Sequence, residues 1–176
     1  MHIAEGLPPE VADETTLDLF GLVTDLAAGT ERIPCDGLEV RIVEHPTHAR
    51  GHAALLIEEC GVLVAVDTLS DLPIPMLDGT ADALEDYLVG LRLLADVADG
   101  FDGLVPGHGS VAQGDEIRAR VAPDLGYMHA LRDGRAPDDP RLGPSAKPGW
   151  EWVSDIHEGQ AQRLAAGGEG NMTPDS

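Results

Sequence analysis

Two short apolar runs constrain this chain most. Ala53-Ala54-Leu55-Leu56-Ile57 and Gly61-Val62-Leu63-Val64-Ala65-Val66 are separated only by Glu58-Glu59-Cys60. Each run is too short for a buried helix and is rich in branched side chains, so both read as strands. The brief link makes them a hairpin. Neither run approaches the roughly 20 apolar residues that a membrane span needs. Just upstream, Leu38-Glu39-Val40-Arg41-Ile42-Val43 alternates, as a half-buried strand does.

Helical spacing surrounds this strand block. Leu17, Phe20, Leu22, Val23 and Leu26 predict a first helix from about residue 10 to 28, stopped by Gly29. Leu84, Leu88, Leu91, Leu94 and Val97 predict a helix over Ala81–Ala98, with Thr80 as its cap. Gly103-Leu104-Val105 reads as a strand, and a helix follows over Asp115–Arg132, bent at Pro123. After Gly134 the prolines 137, 140, 144 and 148 mark an extended connector. A last helix is expected over Trp150–Ala166, then a loose tail to Ser176. The expected division is therefore a domain over 1–133 and a Pro/Gly-rich connector, short helix and tail over 134–176.

Charge narrows the partners. Eleven Lys+Arg against 32 Asp+Glu leave a net charge of −21. Such a surface repels phosphate backbones and anionic lipid, so no nucleic-acid or membrane partner is expected, and a small-molecule partner is. The opening Met1-His2-Ile3-Ala4-Glu5 lacks the basic and apolar regions of a signal peptide. A cytoplasmic location is the expectation. Cys35 and Cys60 are expected to be buried thiols in a reducing compartment.

Three polar residues share one setting, a loop beside a strand. They are His48, Asp67 and His108, separated by 19 and 41 residues. Imidazole and carboxylate suit zinc, and also iron or manganese. Spacing alone is equally served by three unrelated loop residues.

The local words say more. His45-Pro46-Thr47-His48-Ala49-Arg50-Gly51-His52, followed by a strand, resembles the HTPGHTPGH segment of metallo-β-lactamase-fold hydrolases. Val66-Asp67-Thr68-Leu69-Ser70 resembles their GDTL segment, with valine in place of the usual glycine. Val105-Pro106-Gly107-His108-Gly109 resembles their PGHG segment. The order agrees, and so does the helix between the last two. The resemblance runs over about Gly29 to Arg132. It implies an α/β fold, half of an αβ/βα sandwich with a mixed sheet and flanking helices. It implies that His48 and His108 are metal ligands and that Asp67 bridges two metals and is catalytic. The cofactor would be zinc, or iron or manganese, one or two ions per site. His52 stands where relatives often have a histidine that is not a ligand, which implies a supporting role. His45 is expected to be an exposed loop histidine, with an opportunistic metal ligand as the alternative.

The HxHxDH segment that precedes these words in the family is absent here, so the resemblance is to the second half of the fold only. Half a sandwich would leave one apolar sheet face open, which predicts a homodimer or a partner supplying the missing half. The implied activity is hydrolysis of a small ester, thioester or lactone by metal-bound water. The alternative is a degenerate, non-hydrolytic binding or assembly module.

Other residues carry less. Asp155, His157 and Glu158 read as a solvated helix face. Trp150 and Trp152 suit an extended segment docked on an apolar surface. Ser70 and Ser110 lack a GxSxG setting, and no lysine follows Gly107-His108-Gly109 as a phosphate loop would require.

Overall fold

The β4–β5 crossover organises the fold. A computed structural model describes residues 26–27, 29–35 and 37–169. The expected helix over 10–28 lies outside the described residues. Among the described residues, six strands form one mixed sheet in sequence order: β1 (Arg32–Cys35), β2 (Leu38–Glu44), β3 (Ala53–Ile57), β4 (Val62–Val66), β5 (Gly103–Pro106) and β6 (Ala112–Gln113). All neighbours are antiparallel except β4 and β5. Parallel neighbours need a long crossover. Helix α1 (Ala83–Ala98) lies in that connection, and α2 (Asp115–Arg132) and α3 (Val153–Glu169) follow the sheet.

The β3–β4 hairpin forms as expected. Its link is a 3-10 turn, Glu58–Cys60, closed by the Gly61 amide donating to the Glu58 carbonyl at 3.1 Å. Gly61 sits at φ +62, a left-handed conformation that glycine adopts without strain.

Register decides which face is buried. Leu56 lies opposite Leu63, Leu63 opposite Leu104, and Leu104 opposite Ala112. This row joins Leu88, Leu91 and Leu94 of α1 and Ile117, Tyr127 and Met128 of α2 in one buried cluster. Each buried leucine stabilises the fold by about 2 kcal/mol. The next row, Ile42, Leu55, Val64 and Val105, points to the other face and takes no part in that cluster. Val105 there is 37% exposed.

Helix α1 carries a glycine at its centre, and the reason is steric. A Cβ on Gly90 would collide with Cγ2 of Thr47, in the loop between β2 and β3. Gly90 thus lets the helix lie against the loop that bears His48.

Several expectations change. Thr80 does not cap α1. Its amide and hydroxyl both bond to the Asp78 carboxylate, at 2.9 and 2.7 Å, closing a turn before the helix. The cap position is Asp82, with no side-chain cap bond. Strands β1 and β6 extend the sheet at its edges. They are too short to show a period. Cys35 and Cys60 are exposed, not buried, because one lies on the edge strand and the other in the hairpin turn. Helix α3 runs to Glu169, past the expected end at Ala166. Trp150 and Trp152 lie in the turn before α3, with rings 5.5 Å apart, and not in an extended segment. Trp150 packs on the core, and Trp152 is exposed. Asp155 and Glu158 are exposed on α3 as expected, while His157 is half-buried with Nδ1 3.1 Å from the Tyr127 hydroxyl. Among the described residues, no helix is long and apolar enough to cross a membrane.

Replacing glycine by alanine in a helix interior ordinarily stabilises it by about 1 kcal/mol. Gly90→Ala should do the reverse, lowering stability by about 1–3 kcal/mol as Thr47 is displaced. Urea denaturation of the two proteins reads the sign directly.

Candidate metal centre at the strand ends

Three loops meet at one edge of the sheet. Asp67 follows β4, His108 follows β5, and His48 lies in the loop between β2 and β3. The three line one cavity of about 200 Å³, with Tyr87, Asp124 and the Leu69–Met76 loop forming much of its remaining wall. Parallel pairing of β4 with β5 sets the first two side by side. The Gly107 amide donates to the Val66 carbonyl at 2.5 Å, and a Cβ at Gly107 would lie 3.1 Å from Asp67 Oδ1. Glycine there eases the close approach of the His108 loop, since a side chain would press on the Val66 carbonyl and on Asp67. His108 Nε2 lies 3.3 Å from Asp67 Oδ1.

The backbone on either side of Asp67 is unusual. The β4–β5 register shifts between Val64 and Val66, and Val66 takes φ +49. Leu69 takes φ +54. Branched residues rarely adopt this region, and such conformations concentrate at functional loops. Valine at 66 accepts a conformation that glycine would adopt freely.

The His45–His52 loop is more buried than the sequence suggests. His45 is 2% exposed, and Thr47 is 1% exposed, so the expectation of an exposed His45 is wrong. The loop is closed on itself by the His45 amide donating to the His52 carbonyl at 2.8 Å. Thr47 Oγ1 is 2.7 Å from His45 Nδ1 and 3.5 Å from His52 Nδ1. His52 Nε2 is 3.8 Å from Asp67 Oδ2, beyond hydrogen-bond reach, and is buried without a partner. Burial lowers the pKa of His45 to about 4, with help from nearby His52. Burial also lowers that of His52, reinforced by His48 and opposed by Asp67.

Sequence reasoning missed two braces around these loops. Asp71 joins the Asp67 loop to the His108 loop. Its Oδ1 accepts the Ser110 amide at 2.8 Å, and its Oδ2 accepts the Ser110 hydroxyl at 2.6 Å. Buried Arg120 lies 3.0 Å from Asp71 Oδ1. Burial pushes the Asp71 carboxyl up, but Ser110 and Arg120 together outweigh it and hold the pKa below its ordinary value. In the second brace, Arg141 donates to Asp124 at 2.7 Å and to the carbonyls of Ser70 and Pro73 at 3.2 and 3.4 Å. Burial raises Asp124 to about 6 against the pull of Arg141. One signal was available. Arg120 and Asp124 share the helical stripe of Ile117, Val121, Tyr127 and Met128, so their burial follows from spacing.

Carboxylate beside imidazole is the donor chemistry of a borderline divalent metal. The unpartnered Nε2 of His52 beside Asp67 fits that chemistry. Among the described residues, no group of three or more His, Cys, Asp or Glu is already arranged to hold an ion. The geometry supplies pairs of donors around Asp67.

Burial of neutral His45 makes stability depend on pH. The unfolded chain takes up the proton near the ordinary value of 6.5, and the folded chain only near 4. The unfolded state therefore binds more protons between these values, and stability falls as pH falls through that window. The expected loss is about 3 kcal/mol, at 1.4 kcal/mol per unit. His45→Gln should flatten this segment of a stability–pH profile measured by denaturation.

Comparison with solved structures agrees with the architecture. A metallo-β-lactamase family protein from Thermus thermophilus matches at 30% identity and TM-score 0.52, covering 62% of this chain and 36% of its own. An archaeal metallo-β-lactamase superfamily protein from Sulfolobus tokodaii matches at 18% identity and TM-score 0.51, over 89% of this chain and 62% of its own. A stereoselective inverting sec-alkylsulfatase from Pseudomonas sp. matches at 15% identity and TM-score 0.54, over 86% and 28%. No protein-family model and no curated protein matches the chain. The chain spans less than two thirds of each of these three structures. Its mixed sheet, its flanking helices and these likenesses give one conclusion: the chain has the metallo-β-lactamase fold, over part of that fold's length.

Proposed function

We propose that the chain is a metal-dependent hydrolase of a small ester, thioester or lactone. The observation that carries this reading is the meeting of His48, Asp67 and His108 at one cavity, with His108 Nε2 3.3 Å from the Asp67 carboxylate. His48, Asp67 and His108 would hold zinc, or iron or manganese, as one or two ions. A bound divalent metal would supply an acidified water and polarise the acyl oxygen.

The chain's own residues do the rest. Asp67, 34% exposed, lines the cavity beside His108. Asp71 and Arg120 hold the His108 loop against it. Leu69, Ile74 and Met76 give the cavity an apolar wall that would take a small uncharged group and exclude water around it. The acidic surface adds selectivity against anionic substrates.

A second reading is a non-hydrolytic binding or assembly module. It is favoured by the same donors standing in pairs, since among the described residues no three are arranged around one point. Metal content per chain separates the two. The freshly purified protein should carry near-stoichiometric metal, and Asp67→Ala should lose it while keeping its helical circular dichroism. Absence of metal from both proteins would overturn the hydrolase reading in favour of the binding module.

Assembly belongs to the same proposal. The row Ile42, Leu55, Val64 and Val105 gives the sheet a second apolar face outside the helix-packed cluster. A second copy of the chain, or a partner with a matching sheet, would cover it. Sedimentation at micromolar concentration should show a homodimer, and a monomer would overturn the homodimer.

A further inference from the structure

We propose that His52 is itself a metal ligand, on the Oδ2 side of Asp67, in addition to the roles given to His48 and His108. The inference rests on the metal-dependent reading above and goes beyond it. In the family's pattern the histidine at this position is a supporting residue. Its surroundings here point elsewhere.

The first argument is spacing. Asp67 presents Oδ1 to His108 Nε2 at 3.3 Å and Oδ2 to His52 Nε2 at 3.8 Å. With bonds of about 2.1 Å, two donors on one tetrahedral zinc lie roughly 3.4 Å apart. Each oxygen of one carboxylate thus faces an imidazole nitrogen at a separation that a shared cation spans. The His52–Asp67 separation is too long for a hydrogen bond.

The second argument is burial without a partner. The His52 side chain is only 11% exposed, and its Nε2 has no hydrogen-bond partner. A buried polar atom in this state calls for an explanation, and an ion is one.

The third argument is the chain of hydrogen bonds behind the ring. His52 Nδ1 faces Thr47 Oγ1, which faces Nδ1 of His45. In one polarity, the His52 Nδ1–H donates to Thr47, and the Thr47 hydroxyl donates to His45. That polarity leaves a lone pair on His52 Nε2 facing a carboxylate. The two repel unless a cation lies between them. A ligating histidine whose other nitrogen is held by a hydrogen bond is the usual arrangement at metal sites. In the opposite polarity, His52 Nε2 carries the proton toward Asp67 and acts only as an orienting group.

Cobalt(II) distinguishes these cases, because thiolate ligation adds a charge-transfer absorption. The full-length chain is titrated with Co²⁺ alone, as wild type, His52→Cys and His52→Gln. His52→Cys should bind Co²⁺ and gain a near-ultraviolet band that the wild type lacks. The wild type is the baseline for the exposed Cys35 and Cys60. His52→Gln should bind Co²⁺ at least about tenfold more weakly with circular dichroism unchanged. A His52→Cys protein without the band, or a His52→Gln protein that binds like wild type, overturns the role of His52 and leaves the hydrolase reading standing. A wild type that binds neither Co²⁺ nor Zn²⁺ overturns both.

Discussion

The parallel pairing of β4 with β5 is the constraint on which the site depends. Antiparallel neighbours would send the chain past Asp67 and straight back along the sheet. A parallel neighbour instead brings the end of β5 to the same edge as the end of β4, so His108 arrives beside Asp67. The crossover that parallel strands require is long enough to hold α1. That helix then closes one face of the sheet with its leucines. One pairing therefore fixes both the core and the position of the polar residues.

The loops at this edge are held by side chains rather than by further strands. Asp71 bonds Ser110 across the gap between the Asp67 and His108 loops. Arg141 reaches from the segment before α3 to the carbonyls of Ser70 and Pro73 and to Asp124 on α2. All are charge-assisted contacts, which are stronger than neutral ones; those of Asp71 are exposed, while those of Arg141 are buried and expensive to break singly. They offset the cost of the backbone conformations at Val66 and Leu69, which are unfavourable alone. The loop keeps its shape because its surroundings over-determine it.

Much of this was legible in the sequence, for physical reasons. The β3–β4 hairpin shows itself because its apolar runs are short, branched and separated by a brief acidic turn. Helix α1 shows itself because Leu84, Leu88, Leu91 and Leu94 repeat at helical spacing. Both signals are local. The order of His48, Asp67 and His108 along strand ends was also readable, and the fold brings those three to one cavity. What was not legible depends on contacts between distant residues. The close approach of Thr47 to α1 at Gly90 is a contact that no spacing within the loop announces, and the burial of His45 beside it is not announced either. The exposure of the two cysteines follows from an edge strand of four residues and a turn, where residue type is a poor guide. Asp71 was passed over because its partner is 39 residues away.

The Gly90–Thr47 contact links the two sequences it joins. Only one side of that contact has room for a methyl group. Helix α1 can carry alanine at 90 if the loop carries serine at 47, since serine keeps the hydroxyl between His45 and His52 but lacks the methyl. It cannot carry alanine against threonine without displacement. Neighbours in contact do not contribute independently to stability. The two positions would therefore drift as a pair, and a core position of the helix would record, in the size of its side chain, which hydroxyl residue stands behind the histidines.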